Sequence, residues 1–391
     1  MRRGLVIVVV LLAGLAVLVP ALLTNGSAPP PTSGPAAGAT APATDWPIFR
    51  GGTGMLGVAA GKLPEAPKLL WQFKTNAAVA SSPVVAGGRV YVGSMDANAY
   101  CVDLATGRKL WSYRTKDAVD APPTVVGGSV YVGSSDSFLY ALDAATGTLR
   151  WKVETEDKIL GAANTFADPK TGKPRIVVGS YDYNLYCIDP ETGKVLWKYE
   201  SGNYINGGIA VSGGRTVFGG CDAVIHVVPP DGKKAEQINA GAYIAATPAF
   251  DGKRVYVGNY EGALVCADLQ TAKLAWTFQR DQPFVSSPAV TEDRVVAGCR
   301  DGSVYCLDRK TGQRLWAFRT KAEVDSSPVV CGGRIVFGSN DGRLYVVALA
   351  DGKKLWSYEL GDAIASSPAV ASGRIVIGCN DGSLYCFGSK P

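Results

Sequence analysis

From residue 69 onward, short runs of Val, Ile, Leu and Tyr alternate with clusters of Gly, Asp, Asn and Pro. The first cycle runs from Val79 to Val85, turns at Gly87-Gly88 and continues to Ser94. An acidic turn at Asp96 follows, then a run ending at Asp103, a turn at Ala105-Thr106-Gly107 and a run through Trp111. Short runs of β-branched and aromatic residues bounded by turn formers predict strands. The Gly-Gly pairs that open at 87, 127, 213 and 332 suit two-residue hairpins with positive φ at both positions. No stretch after residue 45 keeps a helical spacing of apolar positions, so the body is expected to be all-β.

The cycle repeats with a tryptophan. Trp71, Trp111, Trp151, Trp197, Trp276, Trp316 and Trp356 stand at intervals of 40, 40, 46, 79, 40 and 40. Gln237 occupies the missing beat. Eight beats of this length predict a stacked or circular repeat fold. Each unit supplies three strands before the next tryptophan strand. The last unit ends at Ser383 to Phe387 without a fourth strand, and Leu69 to Thr75 is a tryptophan strand with no unit before it. Pairing the two closes a ring and leaves no open sheet edge. The prediction is an eight-bladed β-propeller over residues 45–391, with the seven tryptophans plugging the gaps between neighbouring blades.

Ala141-Leu142-Asp143-Ala144-Ala145-Thr146-Gly147-Thr148-Leu149-Arg150-Trp151 resembles the tryptophan-docking motif of the PQQ-repeat, or quinoprotein-like, propellers. Asp103/Gly107/Trp111, Asp189/Gly193/Trp197 and Asp308/Gly312/Trp316 repeat it, and Asp45-Trp46-Pro47-Ile48-Phe49-Arg50-Gly51 is similar to that family's lead-in. Within the family, eight compact blades on a membrane-targeted chain resemble the BamB-like propellers. That resemblance implies help in assembling or organising envelope proteins, through docking of a partner on one face.

Residues 1–23 are two arginines and then an apolar run from Leu5 to Leu23, long enough to span a bilayer as a helix. An uncleaved anchor and a signal peptide both fit, and both place the propeller outside the cytoplasm. No cysteine follows the run, so the lipid anchor typical of BamB-like proteins is absent. Residues 24–44 are rich in Pro, Ala and Gly, carry no charge and read as a flexible linker. The net charge of +5 includes Arg2 and Arg3, and the modest remainder argues against a nucleic-acid surface.

Candidate chemistry is sparse. Five of nine cysteines (Cys101, Cys187, Cys266, Cys306, Cys386) share one repeat column with Ala141, Val227 and Val346, which reads as a small apolar niche. The one histidine, His226, occupies a tyrosine column and reads as a packing substitute. An acidic column from Asp96 to Asp381 supplies a single carboxylate per turn, far from a calcium shell, and is expected to shape the hairpins. The family's dehydrogenases carry adjacent cysteines, a calcium site and a catalytic aspartate in inserted segments. Here no two cysteines are adjacent, and the notable insertion is the short Ala167–Pro174 loop. The expectation is therefore no catalytic residue, no metal and no PQQ.

The turns sort onto two faces. Gly-Gly and Asp-x-x-Thr-Gly turns are uniform, whereas the loops after each tryptophan strand and the acidic hairpins vary, and variation on a fixed scaffold favours binding. On the variable face Tyr204, Tyr243 and Phe284 are read as one column, with Tyr181 and Tyr260 in a hairpin column. They predict an aromatic arc beside an acidic sector of Asp117, Asp120, Glu156 and Asp157. The leading expectation is a monomeric, extracytoplasmic, non-catalytic scaffold for a protein partner such as a β-barrel assembly component. A PQQ-dependent dehydrogenase and a ligand- or carbohydrate-sensing module are the alternatives.

Overall fold

The computed structural model describes residues 45–389, which form eight sheets arranged as a β-propeller. The hydrophobic segment and linker expected within residues 1–44 lie outside the described residues. Blade 1 consists of Val84–Ala86, Arg89–Ser94, Asn98–Asp103 and Lys109–Arg114, and the next six blades repeat this antiparallel meander. Blade 8 takes Ala369–Ala371, Arg374–Cys379 and Ser383–Gly388 from the end of the chain. Its outermost strand is Lys68–Lys74, antiparallel to Ser383–Gly388 with Trp71 opposite Cys386. The ring thus closes by the pairing that the orphan tryptophan strand predicts.

Two glycine positions explain how the blades turn and pack. Gly87 and Gly88 have φ of 56° and 73°, a conformation costly for side chains with a Cβ, and the pair opening at Gly127 repeats it. In the second strand, a Cβ on Gly133 would lie 2.4 Å from Ile159 at the next blade. A bare backbone there makes room for the side chain of Ile159 on the loop that leads into the next blade.

Six tryptophans lock one blade to the next. The indole Nε1 of Trp71 donates to Leu104 O at 2.9 Å, Trp111 to Ala144 O at 3.2 Å, and Trp151 to Pro190 O at 2.9 Å. Trp197, Trp276 and Trp316 bond Pro230, Arg309 and Leu349 in the same way. Each ring lies over the turn glycine; a Cβ on Gly312 would come within 2.6 Å of Trp276. Trp356 departs from this set. Its neighbour is blade 8, whose outer turn is replaced by the two ends of the ring, so Trp356 meets Phe387 edge-on at 5.6 Å instead. The remaining seam joins blades 4 and 5. Here Glu236, not Gln237, holds the tryptophan's place, because it pairs with Val227 as Trp111 pairs with Cys101. Gln237 is one residue further on and reaches back to Tyr199 Oη of blade 3 at 3.3 Å. The turn glycine of this seam is replaced by Ala272 at φ 53°.

The lead-in segment does more than precede the first strand. Trp46 exchanges hydrogen bonds with Val85 of blade 1, and Pro47 O accepts from Val125 N of blade 2. Thr53, Gly54, Leu56 and Gly57 accept in turn from Val211, Phe250, Val290 and Val330, on blades 4 to 7. Val58–Ala59 then adds a parallel strand to Val329–Cys331 of blade 7. These partners are on the innermost strands near the Gly-Gly turns, so the segment satisfies backbone donors that would otherwise face the axis unpaired. Arg50, only 2% exposed, reaches Ser327 O at 3.1 Å and Pro328 O at 2.6 Å. Burial pushes its pKa down to about 9, which leaves the guanidinium cationic at neutral pH among carbonyl dipoles.

Candidate docking surface

The face carrying the loops after each outer strand is built on a repeated lock. In blade 1 the Tyr100 hydroxyl donates to Asp96 Oδ2 at 2.7 Å, and Asp96 also accepts from Asn76 N and Asn98 N. Blades 2, 3, 6, 7 and 8 repeat the Tyr–Asp bond, and in blade 4 His226 Nε2 takes the tyrosine's place at 2.7 Å from Asp222. Burial alone would raise the Asp96 pKa; the bonds from Asn76, Tyr100 and Asn98 outweigh it and hold the carboxyl below its usual value. The acidic column is thus turn architecture. The exception is blade 5, where Asn259 Oδ1 accepts from Glu261 N and Ala263 N in place of an acid.

On these hairpins sits a tyrosine cluster. Tyr181 and Tyr204 stack with centroids 4.9 Å apart, and Tyr183 meets Tyr204 edge-on at 5.1 Å. Lys158 Nζ lies 4.6 Å from the Tyr181 centroid. Tyr243 is 57% exposed and Tyr260 43% exposed, joined through a Tyr260 N to Tyr243 O bond of 2.9 Å. Phe284 does not belong here. It is fully buried against Phe278 and Tyr305 and packs under Gly258, the place held by Val119 under Gly93 in blade 1. The residue equivalent to Tyr204 and Tyr243 is Pro283, whose carbonyl accepts from Arg300 N as theirs do from Cys221 and Tyr260. Phe284, not Val285, fills the buried column of Val119 in this unit, so the arc expected at Tyr204, Tyr243 and Phe284 is one residue out of register here.

The predicted acids do stand on this face, in the top loops of blades 1 and 2. Asp117 and Asp157 each fix their loop by accepting from the next backbone amide at 2.7 Å. Burial, reinforced by Asp117, raises the Asp120 pKa. Because successive strands alternate direction, every charged residue falls toward one end of its blade. Among the described residues, the end bearing the tyrosines has 11 Lys and Arg against 19 Asp and Glu, a net of −8. The face therefore combines rigid aromatic rings with a negative field, suited to stiff apolar contacts and to steering a basic partner.

Clefts, by contrast, open on the other face. One of about 610 Å³ lies between blades 4, 5 and 6, lined by Arg215, Arg254, Tyr256 and Arg309 among others. Another of about 580 Å³ lies between Thr53, Phe166 and Gly214. Uniformity of the turns in sequence did not mean a featureless surface: the lead-in segment and the Ala167–Pro174 insertion build the second cleft's walls.

All nine cysteines are free, and Cys221 alone is not buried. Burial pushes the thiols of Cys101, Cys187 and Cys386 up to about 12. A thiol reagent added to native protein near neutral pH is expected to label Cys221 rapidly and the other eight only on unfolding. Rapid labelling of a second thiol would show that a column cysteine is accessible. Among the described residues no group of three or more His, Cys, Asp and Glu is placed to hold a metal ion.

The family described as outer membrane protein assembly factor BamB matches residues 64–203, 164–237 and 222–390. The chain belongs to this family. No curated protein matches it. Among solved structures, BamB from Moraxella catarrhalis is 19% identical with a TM-score of 0.70, covering 83% of this chain and all of its own. Quinohemoprotein alcohol dehydrogenase from Comamonas testosteroni is 15% identical with a TM-score of 0.75, covering 89% of this chain and 81% of its own. A europium-containing methanol dehydrogenase is also 15% identical, with a TM-score of 0.71, covering 88% of this chain and 98% of its own. At such identities these structures share the fold with the BamB-like chain and do not choose between assembly and dehydrogenase chemistry.

Proposed function

We propose that this BamB-like propeller is a non-catalytic, membrane-tethered scaffold that docks a protein partner of envelope assembly outside the cytoplasm, with no quinone cofactor. The observation that carries the reading is the exposed tyrosine cluster on a face of net charge −8. Stiff aromatic rings bury area at low entropy cost and are favoured at interface hot spots. The name of the matching family supports a role in assembly. The donor set does not fit the quinone enzymes described above: no two cysteines are adjacent in the chain, all nine are free, and the Ala167–Pro174 insertion lies on the face opposite the tyrosines. The tether reading rests on the apolar run Leu5 to Leu23.

The test is crosslinking and co-purification from native membranes, with the double variant Tyr204→Ala and Tyr243→Ala as control. Partner recovery is expected to fall at least tenfold, because two anchor rings are removed. The melting temperature is expected to stay nearly constant, since both rings are more than a third exposed. Loss of stability with unchanged recovery would make the rings blade-end packing and sink the site.

A further inference from the structure

The net charge of the whole chain conceals a polar disc. The face opposite the tyrosines, made by the Gly-Gly turns, the Asp-x-x-Thr-Gly turns and the lead-in segment, has 24 Lys and Arg against 15 Asp and Glu, with buried Arg50 left out. That is a net of +9, facing away from the −8 of the other side. Several of the acids on this face are turned into their own loops. Asp103, Asp143 and Asp308 each accept from the amide and hydroxyl of the turn threonine. The lysines are free to project outward; the Lys353 side chain is 81% exposed, although it pairs with Asp351 at 3.1 Å. A modest net charge had argued against clustered cations, yet the alternating strand direction collects them at one end.

The chain also enters the propeller on this face. Asp45 accepts from Gly87 N at 3.2 Å, at the turn joining the two inner strands of blade 1. The composition of residues 24–44 before it is that expected of a flexible linker, and a random coil of that length has an end-to-end distance of roughly 25 Å. An apolar segment inserted in a bilayer would therefore hold the basic face close to the lipid headgroups. Each lysine or arginine near an anionic surface contributes on the order of 1 kcal/mol, so a few suffice to favour contact at such an effective concentration.

We propose that the basic face docks on an anionic membrane surface, which turns the acidic tyrosine face outward toward its partner. This inference rests on the tether reading but not on the identity of the partner. The ligand is the anionic headgroup surface, because charge sign and chain entry coincide on one face.

The test reconstitutes the full chain into vesicles of phosphatidylcholine alone, or of phosphatidylcholine with phosphatidylglycerol, and follows amide hydrogen exchange. The turns at Gly127-Gly128, Gly213-Gly214 and Gly352 should exchange several-fold more slowly in the anionic vesicles, and high salt should abolish the difference. The acidic hairpins should not change. Reversing exposed charges with Lys253→Glu, Lys310→Glu and Lys353→Glu should remove the protection without altering the melting temperature. Equal exchange in both vesicles overturns docking. So does protection by a soluble polyanion that anionic vesicles fail to reproduce. Alkaline carbonate extraction reports the tether separately: a chain released from both vesicle types refutes the anchor, whereas a retained chain with equal exchange refutes the docking alone.

Discussion

Removing residues 1–75 is expected to abolish the cooperative fold, whereas removing residues 1–44 should leave the propeller folded. The longer deletion takes away Lys68–Lys74, which supplies the whole outer edge of blade 8. Ser383–Gly388 would then offer a row of unpaired amides and carbonyls to another chain. It also takes the lead-in segment, with its hydrogen bonds to the inner strands of blades 1, 2 and 4 to 7. Six large apolar side chains leave with it: Trp46, Ile48, Phe49, Met55, Leu63 and Trp71, none more than 8% exposed. At about 1.5–3 kcal/mol each, their burial totals on the order of 10 kcal/mol, an upper figure because the unfolded chain hides some of that area. A domain stability of about 5–15 kcal/mol would not survive the loss. Size-exclusion chromatography and urea unfolding of the two truncated chains check this. A soluble 76–391 fragment that unfolds cooperatively would show that the ring holds without its clasp.

What the sequence made legible follows from the repeat. A forty-residue period with fixed turn residues places every strand, and the unpaired tryptophan strand places the closure. The same logic went wrong where a unit deviates: in Gln282-Pro283-Phe284-Val285-Ser286, a phenylalanine stands where other units have Val or Ile, and a shift by one residue moved it from core to surface. The lead-in was legible as a motif but not in its contacts. Its segment has no period, and its partners lie from about 40 to more than 270 residues away, so nothing local announces them. The charge polarity was hidden for a different reason. It depends on which end of a strand each residue occupies, and composition adds both ends together.

The blade 4–5 seam should be the weakest in the ring, and the lock that six of the other seams use should repair it. Trp316→Ala at an intact seam is expected to cost about 3 kcal/mol, the low end for such a truncation because the ring is partly exposed. The 4–5 seam already lacks this lock. Glu236 replaces the indole, and the carbonyl of Leu269 stands where the indole would donate, by analogy with Arg309 and Leu349. Ala272 replaces the turn glycine, at φ 53°. The two departures are coupled, since a Cβ at the turn position would sit about 2.6 Å from the ring, as at Gly352 beneath Trp316. Glu236→Trp alone should therefore be neutral or destabilising. Ala272→Gly alone should be near zero, because relief of the left-handed backbone is offset by greater unfolded-state entropy. Together they should stabilise by about 1–2 kcal/mol, with a favourable coupling of similar size in a double-mutant cycle. Lead-in residues Phe49 and Met55 share the buried cluster under this seam with Ile238 and Leu269, so softness should appear at its outer edge. Glu236–Asn239 and Lys273–Gln279 should thus lose hydrogen-exchange protection before other outer strands, and regain it in the double variant. Strictly additive substitutions, or outer strands as protected at this seam as elsewhere, would mean that the inner cluster alone holds the blades together.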